Sequence, residues 1–113
     1  LVMRAVQTAC DSVSGKRQVS IHSELLNADA PADCSPEVIE ALSQSCRKHE
    51  LNFLPLVSRA YHDSLFIARI APVGMLFIPC HNGYSHRPDE YASPEDIVRG
   101  TLVLAETLAA LSS

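Results

Sequence analysis

Tryptophan is absent from the 113-residue chain, and Phe and Tyr together make up only 5% of it. Positive charge is also scarce. Nine Lys and Arg stand against thirteen Asp and Glu, for a formal net charge of −4. No basic stripe runs along the sequence, which argues against nucleic acid or an anionic membrane surface as the main partner. The apolar runs are short, and that over residues 73–80 is interrupted by Gly74 and Pro79. A membrane-spanning helix needs roughly 20 apolar residues, so none is expected. The four cysteines, Cys10, Cys34, Cys46 and Cys80, contain no C-x-x-C pair. A zinc ribbon, a thioredoxin motif and a dense disulfide scaffold are thereby disfavoured, and reduced, mostly buried thiols are expected. Neither H-E-x-x-H, G-x-S-x-G nor a P-loop occurs. What remains is a chain 47% hydrophobic, sufficient for one core.

The chain opens in helical rhythm, without an initiating Met and without the charged head and cleavage site of a signal peptide. It is therefore expected to be a piece of something larger. Val2, Ala5, Val6, Ala9, Cys10 and Val13 share one stripe of a helix over 2–13, which Ser14-Gly15 is expected to stop. Residues 18–26 alternate, with Val19, Ile21 and Leu25 on one face, as a strand does. Residues 27–34 are rich in Ala, Asp and Pro and form the best candidate for a domain boundary.

Two helices then open with the same device. Ser35-Pro36-Glu37 and Ser93-Pro94-Glu95 each offer an N-cap serine, a proline whose missing N–H costs nothing, and an early carboxylate. The first is expected to turn Val38, Ile39, Leu42 and Cys46 inward. The second is expected to bury Ile97, Val98, Thr101, Leu104, Ala105, Leu108 and Leu111. Between them the pattern predicts a short strand over 52–57, a helix over 62–70 halted before Pro72, and a fully buried strand over 74–78. Alternating helices and buried strands from residue 35 onward predict an α/β layer structure.

Three of five histidines fall in two loops beside these elements. His62 opens the short helix, while His81 and His86 follow the buried strand. In α/β sheets ligands bind at strand ends and at the first turns of the following helices. The helix start at Asp63-Ser64 could also receive an anion. Asp63 reads equally as an N-cap or an acid–base group, and Asp89 and Glu90 read as a solvated pair. His22 and His49 read as surface residues. Two histidines do not hold a catalytic metal without further ligands, so on its own the chain carries part of a site.

Ser58-Arg59-Ala60-Tyr61-His62-Asp63, the run through Pro72 and Gly74-Met75-Leu76-Phe77-Ile78-Pro79-Cys80, and above all the loop Gly83-Tyr84-Ser85-His86-Arg87-Pro88-Asp89-Glu90-Tyr91-Ala92-Ser93-Pro94-Glu95-Asp96 carry a resemblance. They resemble the carboxyl-terminal part of the M20-type metal-dependent amidohydrolases that cleave ureido compounds. That family includes ureidoglycolate amidohydrolases, allantoate amidohydrolases and N-carbamoyl-L-amino-acid hydrolases. The loop matches the family's Gly-x-Ser-His-x-Pro-x-Glu-x-x-Ser-Pro-Glu-Asp pattern. Most relatives have Ser-Gly-Ala-Gly-His-Asp where this chain has Arg59 and Tyr61, and Arg-Gly-Gly where it has His81-Asn82-Gly83. Tyr61, Cys80 and Gly83-Tyr84 are similar to the plant-type ureidoglycolate enzymes.

The resemblance implies a metallopeptidase-like catalytic domain closed by residues 28–113, preceded by the last helix and strand of a lid and dimerisation domain at 1–27. It implies His86 as a metal ligand and Tyr61 and His62 as substrate-binding residues, with no catalytic residue in this segment. Two Mn2+ per complete subunit are implied, Zn2+ or another divalent ion being possible, together with a small ureido substrate and a homodimer. The implied reaction takes ureidoglycolate to glyoxylate with ammonia release, in purine (allantoin) breakdown. Hydrolysis of allantoate or of an N-carbamoyl amino acid is the alternative, as is a truncated, non-catalytic dimerisation or binding module. The 113 residues alone are expected to be inactive, and plant relatives imply the endoplasmic reticulum.

Overall fold

The computed structural model describes residues 2–112, which divide into two compact units between Ala30 and Pro31. In the first unit, helix α1 runs Val2–Arg17. It passes through Gly15, where the sequence predicted a stop. Glycine weakens a helix interior by about 1 kcal/mol but does not end it. The turn comes at Gln18, whose φ of 52° lies in the left-handed region. Lys16 and Arg17 in the last turn complement the helix dipole, and Ser14 Oγ donates to the Val19 carbonyl at 2.6 Å. The extended stretch that follows returns along α1, with Ser23 Oγ donating to Gln7 Oε1 at 3.1 Å. No residue of α1 is buried.

The second unit contains α2 (Pro36–Lys48), α3 (Ser64–Ile67), a 3₁₀ turn over His81–Gly83 and α4 (Pro94–Leu111). Both Ser-Pro-Glu starts open helices as predicted. At α4 the cap is complete, with the Ser93 Oγ accepting the Asp96 N–H at 3.1 Å and donating to Asp96 Oδ2 at 2.7 Å. At α2 the serine backbone is extended but its side chain makes no cap bond. Helix α2 ends in a Schellman arrangement, with Glu50 N–H on the Arg47 carbonyl and Leu51 N–H on the Cys46 carbonyl. Glu50 takes the left-handed position, φ 53°, that glycine usually fills, and Leu51 packs onto the core.

That core lies where α2 meets α4. Leu42, Cys46 and Val103 are buried, with Val38, Ile39 and Leu51 packed around them. The buried hydroxyls are satisfied, Ser43 Oγ by the Ile39 carbonyl at 2.8 Å and Thr107 Oγ1 by the Val103 carbonyl at 2.7 Å. The inward face of α2 is the predicted one. That of α4 is not. Val103 and Thr107 are buried, while Ile97, Val98, Leu104 and Leu108 remain exposed. The face that packs is the one with small residues, because a Cβ at Gly100 would strike the side chain of Ile78 and one at Gly74 would strike Val38. Backbones approach closely on that face, and bulk is carried elsewhere.

The α/β expectation is not met among the described residues, which contain no strand. Stretches 18–26, 52–57 and 74–78 are non-helical, as predicted, but a strand is defined by a hydrogen-bonded neighbour and none of them has one there. Leu54 and Val57 accordingly stay 78% and 85% exposed. The predicted helix over 62–70 contracts to α3, with turns continuing to Ala71 before Pro72. Of the cysteines, all four are free, but only Cys46 is buried, and Cys34 is exposed.

A polar clasp flanks the core. Glu106 of α4 accepts from Lys48 Nζ at 2.9 Å and Ser45 Oγ at 3.2 Å, and its Oε2 lies 3.0 Å from His49 Nε2. His49, read from sequence as a surface residue, is therefore half-buried in an inter-helix contact. The Lys48 hydrogen bond, with His49 beside it, holds the Glu106 carboxyl below its ordinary range. A carboxyl depressed in the folded chain binds protons more readily when unfolded. Its contribution is complete above the unfolded value and is lost as pH falls through the folded one. Between about pH 5 and pH 3 the melting temperature of the chain should fall, and Glu106→Gln should flatten part of that slope in a thermal-melt series. Truncating the core at Val103→Ala should cost about 2 kcal/mol in denaturant unfolding, from lost burial and the cavity left behind.

Candidate functional site

Two loops of the second unit carry the sequence candidates, and the extended stretch 74–78 underlies the first and leads into the second. In the first loop, Ser58 Oγ lies 2.9 Å from His62 Nε2. The His62 ring meets Phe77 edge-on, with centroids 5.8 Å apart and planes at 62°. Ser64 Oγ donates to Met75 Sδ at 3.0 Å, which ties the start of α3 to the same stretch. Tyr61 is exposed and lies edge-on to Phe66 at 5.9 Å. Asp63 makes no side-chain cap bond, and its carbonyl accepts from Phe66 and Ile67. A helix of four residues carries too little dipole to draw an anion to the start at Asp63-Ser64.

The second loop is closed at its base by the His81 N–H on the Tyr91 carbonyl at 2.7 Å. Within it Asn82, Gly83 and His86 all have positive φ, at 53°, 68° and 57°. Only one of the three is glycine, so the loop stores backbone strain that its surroundings must hold. Glu90 holds it at His86, its Oε2 accepting the His86 N–H at 2.7 Å. Arg87 lies over the Tyr84 ring, its guanidinium carbon 3.8 Å from the centroid, and meets Asp89 with two hydrogen bonds of 2.8 and 2.9 Å. Cys80 Sγ reaches the Tyr84 carbonyl at 3.3 Å. Asp89 and Glu90 are solvent-exposed, as expected, but each is also engaged within the loop. Each is a strut of the loop.

The resemblance implies a metal centre, and the donor set tests it. Among the described residues no three His, Cys, Asp or Glu side chains gather as a metal site. His86 is exposed and offers a single imidazole, and one imidazole does not hold a divalent ion. By themselves these residues do not form that centre. The residue pattern does not reveal the contacts that Glu90 and Ser58 make. Each sits four positions from a histidine, and at Glu90 it is the left-handed turn of His86 that makes the spacing bridge.

The family model for peptidase family M20/M25/M40 matches residues 4–110. The chain belongs to that family. It is 45% identical to a ureidoglycolate hydrolase of Arabidopsis thaliana over 98% of its own length and 24% of the relative's. It is 46% identical to a ureidoglycolate hydrolase of rice, Oryza sativa subsp. japonica, over 98% and 23%. The crystal structure of AtUAH in complex with (S)-hydroxyglycine is similar at 45% identity with a TM-score of 0.90, over 98% of this chain and 26% of that one. The chain spans about a quarter of the length of the curated relatives it matches.

The Glu90 strut yields a direct prediction. Glu90→Ala should speed amide hydrogen exchange at His86 by roughly fivefold to tenfold, and Glu90→Gln, which keeps an acceptor oxygen, should restore part of the protection.

Proposed function

We propose that these residues close the catalytic domain of a divalent-metal-dependent amidohydrolase acting on a ureido compound, with ureidoglycolate as substrate and manganese as metal. One observation carries the reading: 45% identity with a TM-score of 0.90 across 98% of the chain, to a structure holding (S)-hydroxyglycine. Hydroxyglycine is what remains when water cleaves the ureido carbonyl of ureidoglycolate. Ureidoglycolic acid plus water gives hydroxyglycine, carbon dioxide and ammonia, and the hydroxyglycine then loses its own ammonia to give glyoxylate.

In this reading Tyr61 and His62 bind the substrate. A phenol and an imidazole suit a small acid bearing a hydroxyl and a carboxylate. His86 supplies one metal donor, held in a strained backbone position by Glu90, and strain of this kind concentrates at functional sites. The remaining donors belong to the other three quarters of the family's length. The exposed stretch 52–57 and the partly buried apolar stretch 74–78 are read as strands of the catalytic α/β sheet. Residues 1–27 are read as the end of a lid and dimerisation domain. Support for the latter is helix α1, whose Val2, Val6 and Val13 are exposed.

The test is an exchange. The 113 residues replace the corresponding quarter of the Arabidopsis enzyme, and ammonia release from ureidoglycolate is followed with manganese present. The chimera should turn over, and His86→Ala within it should lower kcat/KM by at least about a hundredfold. A soluble, cooperatively melting chimera that releases no ammonia would overturn the reading. Tyr61→Gly should shift preference toward allantoate, and unchanged selectivity would remove Tyr61 from the substrate contacts.

A further inference from the structure

We infer that Ser58 is a positioning residue that holds neutral His62 as the Nδ1–H tautomer, so that the imidazole offers a hydrogen-bond donor and not an acceptor at its second nitrogen. The consequence for substrate rests on the reading of His62 given above, whereas the tautomer itself rests on geometry alone.

The Ala60 N–H donates to Ser58 Oγ at 3.3 Å, and the same oxygen lies 2.9 Å from His62 Nε2. The serine side chain thus caps its own turn, two residues on, while touching the ring four residues on. A hydroxyl has one proton and two lone pairs. One lone pair is engaged by Ala60. The proton has a single acceptor among the described residues, His62 Nε2. Running Ala60 N–H to Ser58 O–H to His62 Nε2 aligns the dipoles, each polarising the next. The reverse sense would aim two N–H donors at Oγ and leave the hydroxyl proton of a half-buried serine without a described partner. With Nε2 accepting, the neutral ring carries its proton on Nδ1.

Phe77 then fixes how that proton is presented. Its ring braces the imidazole edge-on at 5.8 Å and 62°, so rotation of His62 is restrained by a contact as well as by a hydrogen bond. Among the described residues Nδ1 has no partner of its own. A fixed Nδ1–H at the end of this chain suits a carboxylate or carbonyl oxygen and disfavours a donor such as an amine or ammonium.

Long-range proton–nitrogen correlation spectra of the 113-residue chain, labelled with 15N-histidine and recorded at about pH 8.5, on the neutral side of imidazole titration, read the tautomer directly. His62 should give a protonated-nitrogen shift at Nδ1 and an unprotonated one at Nε2. Ser58→Ala should move His62 toward Nε2–H, and Ser58→Thr, which keeps the hydroxyl, should return it. An Nε2–H signature in the unaltered chain overturns the inference, and so does a Ser58→Ala spectrum identical to it. In the chimera with the Arabidopsis enzyme, Ser58→Ala should raise KM for ureidoglycolate about tenfold with kcat within about twofold, and Ser58→Thr should restore it. If the tautomer is as stated but neither Ser58→Ala nor His62→Ala moves KM, the substrate contact fails and the tautomer assignment stands.

Discussion

Gly74 and Gly100 let an extended backbone lie against two helices at once, and the rest of the second unit is arranged around that contact. Val38 of α2 occupies the space a side chain at 74 would need, and Ile78 occupies the space a side chain at 100 would need. The stretch between them is therefore registered against α2 at one end and α4 at the other. Both candidate loops inherit that registration. Phe77 and Met75 of the stretch hold the His62 loop, and Cys80, at its far end, anchors the loop that carries His86. A small core of Leu42, Cys46 and Val103 suffices because the backbone approach does much of the positioning.

Within each loop, positioning is local and polar. Ser58 and Glu90 act over four residues on either side of a histidine, one through the ring and one through the backbone. The two devices differ in kind. At His62 a neutral hydroxyl orients an imidazole whose backbone is unstrained. At His86 a carboxylate secures an N–H in a conformation that L-residues otherwise avoid, leaving the ring itself exposed. The Arg87–Tyr84–Asp89 cluster completes the second loop by stacking and paired hydrogen bonds. These are short-range constraints, which explains how the loop keeps its form beside a modest core.

The helices were readable from the chain because their signals are local. The two Ser-Pro-Glu starts, the charge at the helix ends and the 3.6-residue periodicity of α2 all act within a few residues, and the observed elements follow them. The loop motif around His86 was readable as a resemblance, since its residues are contiguous. Gly15 does not end the helix because a glycine does so only by taking the left-handed position itself, and here Gln18 takes it. In helix α4 hydrophobic bulk does not mark the buried face. Packing chose Gly100, Val103 and Thr107, where the backbones come close.

The sequence by itself determined where helices begin, which residues compose the two loops, and the family to which the motif belongs. All of these are encoded by neighbours in the chain. The tertiary structure decided which face of α4 is covered, that Glu106 joins Ser45, Lys48 and His49 across two helices, and that Ser58 and Phe77 both meet one imidazole. It also decided that the extended stretches have no ladder partner among the described residues. Such relations depend on distances between groups far apart in the chain, or on a backbone angle such as that of His86, and no residue pattern specifies them before the chain is folded.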